Sequence, residues 1–202
     1  MTEQLRILPT TLLDHYKAAV QVGLLEAHAQ LQDSELSVDA FSFYTSVSAV
    51  YSKIEGESIE LDSYVKHKRF GIEYLPDYTQ KIDDLYNAYQ FAKTTTCNKG
   101  NVTLAHAILT KHILPEQQQG MIRTSNMYVT TDEGRIEYVA ATPNDVTDEM
   151  GKFYADLAIL LKKTLTLQEI FYFASMLHLV FVKIHPFNDG NGRMGRLIEK
   201  GF

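Results

Sequence analysis

The stretch Lys183–Lys200, KIHPFNDGNGRMGRLIEK, decides how the rest of the chain is read. His185, Asp189, Gly190, Asn191, Gly192, Arg193 and Arg196 crowd together within it. Pro186 disfavours helical backbone at the residue before it, so a helix arriving from upstream ends at about His185. Gly190 and Gly192 tolerate a turn whose successive N–H groups converge on one point. A helix opening near Arg193 adds the partial positive charge of its N-terminus. Such an arrangement binds anions, phosphates above all. Arg193 and Arg196 stand three residues apart and share one helix face. Arginine is disfavoured at a helix N-terminus, so two of them there imply a negative group that offsets the repulsion. Asp189 is placed to hold Mg²⁺ with phosphates as co-ligands. His185, with an ordinary pKa near about 6.5, is suited to act as general base on an attacking hydroxyl.

Outward from this loop, helical signals dominate. The spacing predicts a first helix from Leu12 to about Gln32 and a second from about Val38 to Ile54, ended by Gly56. Ser58 is a candidate cap for a third, running towards Lys68, and a fourth covers Tyr78 to about Lys93. Thr103 precedes LAHAILTKHIL as a plausible N-cap. The pattern then turns to alternation in SNMYVTTDEGRIEYVAA, which predicts a β-hairpin of Asn126–Thr130 paired with Arg135–Val139 about a turn at Thr131–Gly134. Helices resume from about Asp148 to Lys163. The sequence Thr166-Leu167-Gln168-Glu169 is a capping box that opens the helix leading to His185. Neither repeats nor low-complexity tracts interrupt the chain.

The bulk composition agrees with a soluble globular protein: 202 residues, 45% hydrophobic and 22% charged. A formal net charge of −6 argues against broad nucleic-acid binding. The longest apolar stretch, Ile170–Val182, is too short to span a bilayer and reads as a buried helix. One cysteine, Cys97, forms no intrachain disulfide, and the N-terminus carries no basic-then-apolar signal pattern. The expectation is a cytoplasmic protein that engages neither nucleic acid nor membrane. The seven histidines include no pair at four-residue spacing, which argues against a zinc site.

HPFNDGNGR followed by MGR resembles the signature of the Fic (filamentation induced by cAMP) domain family, His-x-Phe-x-Asp/Glu-Gly-Asn-Gly-Arg-x-x-Arg, at every fixed position. The resemblance implies a mainly α Fic fold, a helical bundle with one β-hairpin flap. It implies transfer of AMP from ATP to a Ser, Thr or Tyr hydroxyl of a target protein, with release of pyrophosphate. By position, His185 is then the base, Asp189 the Mg²⁺ ligand and Gly190-Asn191-Gly192 the anion hole. Arg193 contacts phosphates, Arg196 pairs with the γ-phosphate, and Phe187 anchors the loop. Glycine replaces the lysine of the kinase-like Doc branch, which favours AMP transfer over phosphorylation. The hairpin becomes the flap along which the protein substrate docks, through Asn126, Met127, Tyr128, Val129 and Thr130.

Upstream, VYSKIEGES (Val50–Ser58) resembles the family's inhibitory motif, Ser/Thr-x-x-x-Glu-Gly/Asn. Glu55 and Gly56 match, and Tyr51 stands where Ser or Thr is usual. The resemblance implies a class II arrangement, in which Glu55 pairs with Arg196 and blocks the γ-phosphate. It also implies a division into an N-terminal helical region, 1–69, with the inhibitory helix at about 38–55, and a Fic core, 70–202. A homodimer is the assembly through which such proteins control the inhibitory helix. Six residues follow Arg196, whereas family cores continue through further helices, so a chain cut just past the motif is expected. Two other functions fit the same residues: de-AMPylation or another nucleotidyl or phosphoryl transfer, and a nucleotide-binding regulatory module without turnover.

Overall fold

A computed structural model of the chain describes residues 4–20, 23–32, 59–131 and 133–201. The predicted helix Val38–Ile54, with Glu55 and Gly56, lies outside the described residues; the helix expected to be capped by Ser58 starts at Leu61 with Glu60 as its N-cap. The structure is mostly helical, with one antiparallel hairpin among the described residues. Two compact units divide the chain: Met1–Glu35 with Ile122–Phe202, and Leu36–Met121.

In the first unit the N-terminal helix expected over Leu12–Gln32 is broken in two, α1 (Leu13–Ala19) and α2 (Gly23–Gln32). Val20 leaves helical geometry at φ −84°, ψ 96°, and its carbonyl accepts the side-chain N–H of Gln168 at 3.0 Å. A tertiary hydrogen bond thus takes the acceptor that a continuous helix would have used. Ahead of α1, the backbone N–H groups of Arg6, Ile7 and Leu8 all donate to the Asp156 carboxylate at 2.8–2.9 Å. Asp156 is fully buried, and these three donors replace the water it gives up.

The same unit holds the hairpin and three helices: α6 (Pro143–Leu160), α7 (Leu167–Ile184) and α8 (Asn191–Gly201). The first of these begins five residues earlier than Asp148, because Pro143 fits the first helical position, where no N–H is needed. At α7 the capping box forms as expected: Thr166 accepts from Glu169 N–H while the Glu169 carboxylate accepts from Thr166 N–H. By length and composition alone α7 could cross a membrane, being longer than its central apolar run. Its Phe173, Leu177, Phe181 and Ile184 are buried, as are Phe153 and Leu157 of α6 and Met194 and Ile198 of α8, and the Phe153 and Phe181 rings stand 5.8 Å apart. Gly195 lets α8 approach α7 closely, since a methyl group there would stand 2.9 Å from His178 and Val182.

The second unit contains α3 (Leu61–Phe70), α4 (Pro76–Thr94), α5 (Lys99–Leu109) and a 3₁₀ turn at Glu116–Gln118. Ile59, Tyr64 and Ile82 share a core cluster. The helix expected after Thr103 starts four residues before it: Asn98 is the cap, accepting from Asn101 N–H at 3.0 Å, and Thr103 lies inside. His106 is buried and its Nδ1 accepts the Gly120 N–H at 2.8 Å.

Candidate active site

The loop between α7 and α8 is built by three local devices. The first is His185 itself, which ends α7 in the left-handed region at φ 55°, ψ 60°. It is the single non-glycine residue with positive φ among the described residues. A histidine there carries strain of roughly 1–2 kcal/mol. The second is Asn191, whose side chain clamps the backbone of Phe187: Oδ1 accepts its N–H and Nδ2 donates to its carbonyl, each at 2.9 Å. The third is Phe187, buried to 1% exposure and tilted against Phe181 with ring centroids 6.1 Å apart.

These contacts refine the expected anion hole. The Asn191 amide faces inward and is spent on Phe187, so only its backbone N–H is left for an anion. Gly190 adopts φ 75°, and its N–H donates to Asp189 Oδ1 at 2.6 Å. The helix begins at Asn191, two residues earlier than expected, and its first ladder bond runs from Met194 N–H to Gly190 C=O. The N–H groups of Asn191 and Gly192 therefore belong to the opening turn, where the helix supplies no acceptor. Arg196 folds back over that turn: a methyl group on Gly192 would meet its guanidinium nitrogens at 3.5 and 3.6 Å. The structure thus brings together His185, Asp189, Gly190, Gly192 and Arg196 on one loop and helix start. Arg193 stands in the same first turn, half-buried.

The half-buried His185 ring has one acceptor partner, the Val182 carbonyl, 3.2 Å from Nδ1. A carbonyl only accepts, so Nδ1 carries the proton and Nε2 the lone pair. Burial pushes the imidazole pKa below its ordinary value; Arg123 adds to the lowering, while the Val182 bond and Asp189 oppose it. The ring is neutral near neutrality, the state a general base requires. Among the described residues no cluster of three metal-ligating side chains exists. Asp189, exposed at the loop, is the carboxylate there that could hold a hard divalent cation, which takes oxygen ligands.

The hairpin pairs β1 (Tyr128–Thr130) with β2 (Ile136–Val139), shorter than expected at both strands. Tyr128 faces Val139 and Val129 faces Tyr138; a register shift follows before Thr130 meets Ile136. Asn126 and Met127 precede the strand, although Met127 still accepts from Ala140 N–H at 3.1 Å. Several hydrogen bonds tie the hairpin region to the end of α7. Tyr138 donates its hydroxyl to the Lys183 carbonyl at 2.7 Å, and Arg123 N–H donates to the Pro186 carbonyl at 2.9 Å. Sequence reasoning passed over Arg123. The only hint was a lone arginine ahead of the strand signals with no acidic residue near it in sequence.

The chain belongs to the Fic/DOC family, whose family model matches residues 97–201. This is generally a transferase family, and its members typically move AMP or other nucleotide moieties onto proteins. Solved structures share the fold. A Fic family protein from Desulfovibrio desulfuricans aligns with TM-score 0.72 at 21% identity, over 98% of this chain and 59% of its own. A Fic domain containing signaling protein from Bacteroides thetaiotaomicron gives 0.69 at 17%, over 89% and 71%. Fic-1 from C. elegans gives 0.56 at 18%, over 94% and 53%. The chain thus spans under two thirds of the first and third of these. No curated protein matches the sequence.

Proposed function

We propose that this chain is a protein adenylyltransferase that transfers AMP from ATP to a hydroxyl of a target protein. The observation that carries the reading is the pairing of His185, with its free Nε2 lone pair, and an anion-binding helix start overlaid by Arg196. His185 Nε2 takes the proton of the incoming Ser, Thr or Tyr hydroxyl. The oxygen attacks the α-phosphorus in line, the bond to the α–β bridging oxygen breaks, and pyrophosphate leaves. The first-turn N–H groups of α8 hold phosphate oxygens, and Arg196 holds the γ-phosphate. Asp189 would hold a Mg²⁺ ion, which when bound would supply neutralisation of phosphate charge. The target segment lies along the hairpin as an added strand.

Glu55 restrains this activity by occupying the Arg196 guanidinium, in the manner of a class II protein. The support is the Glu55-Gly56 match in sequence together with the position of Arg196 over Gly192. The test is the Glu55→Gly variant incubated with ATP labelled at the α- or the γ-phosphate. Self-labelling from α, raised over wild type and abolished by His185→Ala, is expected. Label retained from γ overturns the transfer of AMP, and an unchanged α-labelling rate in a folded Glu55→Gly chain overturns the inhibition.

A further inference from the structure

Arg123 is the largest fully buried side chain among the described residues, at 1% exposure, and no carboxylate there pairs with it. Its guanidinium is spent on carbonyl oxygens. Nε donates to His185 at 2.6 Å and Nη1 to Ser125 at 2.6 Å. Nη2 donates to Ala141 at 2.5 Å and more weakly to Ile184 at 3.3 Å. These acceptors fall in two groups. Ser125 and Ala141 stand before β1 and after β2, at the two stems of the hairpin; Ile184 and His185 are the last carbonyls of α7.

A helix C-terminus leaves its final carbonyls without partners and carries partial negative charge, so a cation there is favoured on both counts. Arginine suits the place because its planar fork offers five donors in fixed directions, which a lysine cannot reproduce. Burial works against the charge and lowers the guanidinium pKa, with Tyr138 opposing the shift. Four carbonyl partners are the compensation. The bond to His185 reaches the backbone of the one strained residue of the loop, and Arg123 N–H adds a fifth tie, to the Pro186 carbonyl.

We propose that Arg123 is a positioning residue that joins the hairpin to the strained backbone of His185, so that target docking and the base share one register. This inference rests on the adenylyltransferase reading for its catalytic consequence, though not for the joint itself. Arg123 acts through His185 and touches no reacting atom. Removing it leaves the first-turn N–H groups and Arg196 in place, so nucleotide binding persists while the base loses its aim. A misplacement of about 1 Å at the reacting centre typically costs about 10²-fold in rate.

The experiment uses the full chain carrying Glu55→Gly, alone and with Arg123→Lys, Arg123→Met or Tyr138→Phe. Three measurements are made: self-labelling from α-labelled ATP, ATP affinity, and amide hydrogen exchange resolved by segment. The expected result for Arg123→Lys is a fall in labelling of about 10²-fold with ATP affinity within about threefold. Exchange should rise together at 123–141 and at 184–187 and stay unchanged in α6. Arg123→Met should show the same pattern more strongly, and Tyr138→Phe, which loses a single tether, a weaker one. If Arg123→Met does not fold, Arg123→Lys decides. Wild-type labelling and exchange in a folded Arg123→Lys overturn the proposal, as does a uniform rise in exchange along the unit, which marks a stability role alone. If the parent chain labels nothing, the adenylyltransferase reading fails separately, while the exchange pattern still decides whether the joint exists.

Discussion

The guanidinium of Arg196 lies over the α-carbon of Gly192, close enough that an added methyl group would touch two of its nitrogens at 3.5 and 3.6 Å. On the adenylyltransferase proposal, a phosphate oxygen is held between this helix-start backbone and the guanidinium. Gly192→Ala should therefore fold, because those distances are ordinary van der Waals contacts and alanine favours the helix. It should weaken ATP binding by about tenfold, equivalent to about 1.4 kcal/mol. Calorimetric titration with ATP checks it; unchanged affinity would place the phosphates elsewhere.

The left-handed backbone of His185 sets a second expectation, this time for stability. At φ 55° alanine carries the same steric penalty as histidine, whereas glycine carries none. Both His185→Ala and His185→Gly should abolish labelling. The glycine variant should be more stable than the alanine variant by about 1 kcal/mol, measured by urea unfolding. Equal or reversed stabilities would mean that the loop relaxes when the imidazole is removed.

The pH dependence follows from the direction of the His185 shift. Burial lowers its pKa from the ordinary 6.5, so the midpoint of its protonation lies below that value. The kcat/KM profile, which reports groups of the free enzyme, should show an acidic limb whose midpoint lies below the ordinary histidine value. A limb with its midpoint above 6.5 would be incompatible with His185 as the base in this setting.

Acid should also weaken the start of α7, by a different group. The Lys17 ammonium, 2.7 Å away, and the Thr166 N–H hold the Glu169 carboxyl down to about 2 from its usual 4.5. A depressed carboxylate contributes its stability above the unfolded pKa and loses it as pH falls through the folded one. The loss here runs from about pH 4.5 towards pH 2. Because the pair is partly exposed, screening reduces its worth, and Glu169→Gln should cost about 1 kcal/mol at pH 7 and much less near pH 2. Unfolding curves of the two proteins at both pH values supply the check.

These residues also show what a sequence conveys and what it withholds. The loop His185–Arg196, the capping box at Thr166 and the hairpin turn near Gly134 were legible because each is a local instruction. Proline, glycine and a capping pair act on their immediate neighbours. The break at Val20 was not legible, since it depends on Gln168 reaching its carbonyl from far along the chain. Arg123 stayed hidden for the same reason: its meaning lies in carbonyls at Ala141, Ile184 and His185, and carbonyls leave no trace in composition. At Thr103 a local rule misled, because a better cap, Asn98, stood one turn upstream. The Glu55 segment lies outside the described residues, so sequence remains its only voice.

The clasp of Asp156 on Arg6, Ile7 and Leu8 sets an order of events during synthesis. The N-terminal strap leaves the ribosome first, yet its carboxylate partner comes about 150 residues later. At about 5–20 residues per second that is a delay of roughly 8–30 s. The whole of Leu36–Met121 is made within the interval. The unit that carries the loop His185–Arg196 is thus completed late, closed by pairings between distant parts of the chain.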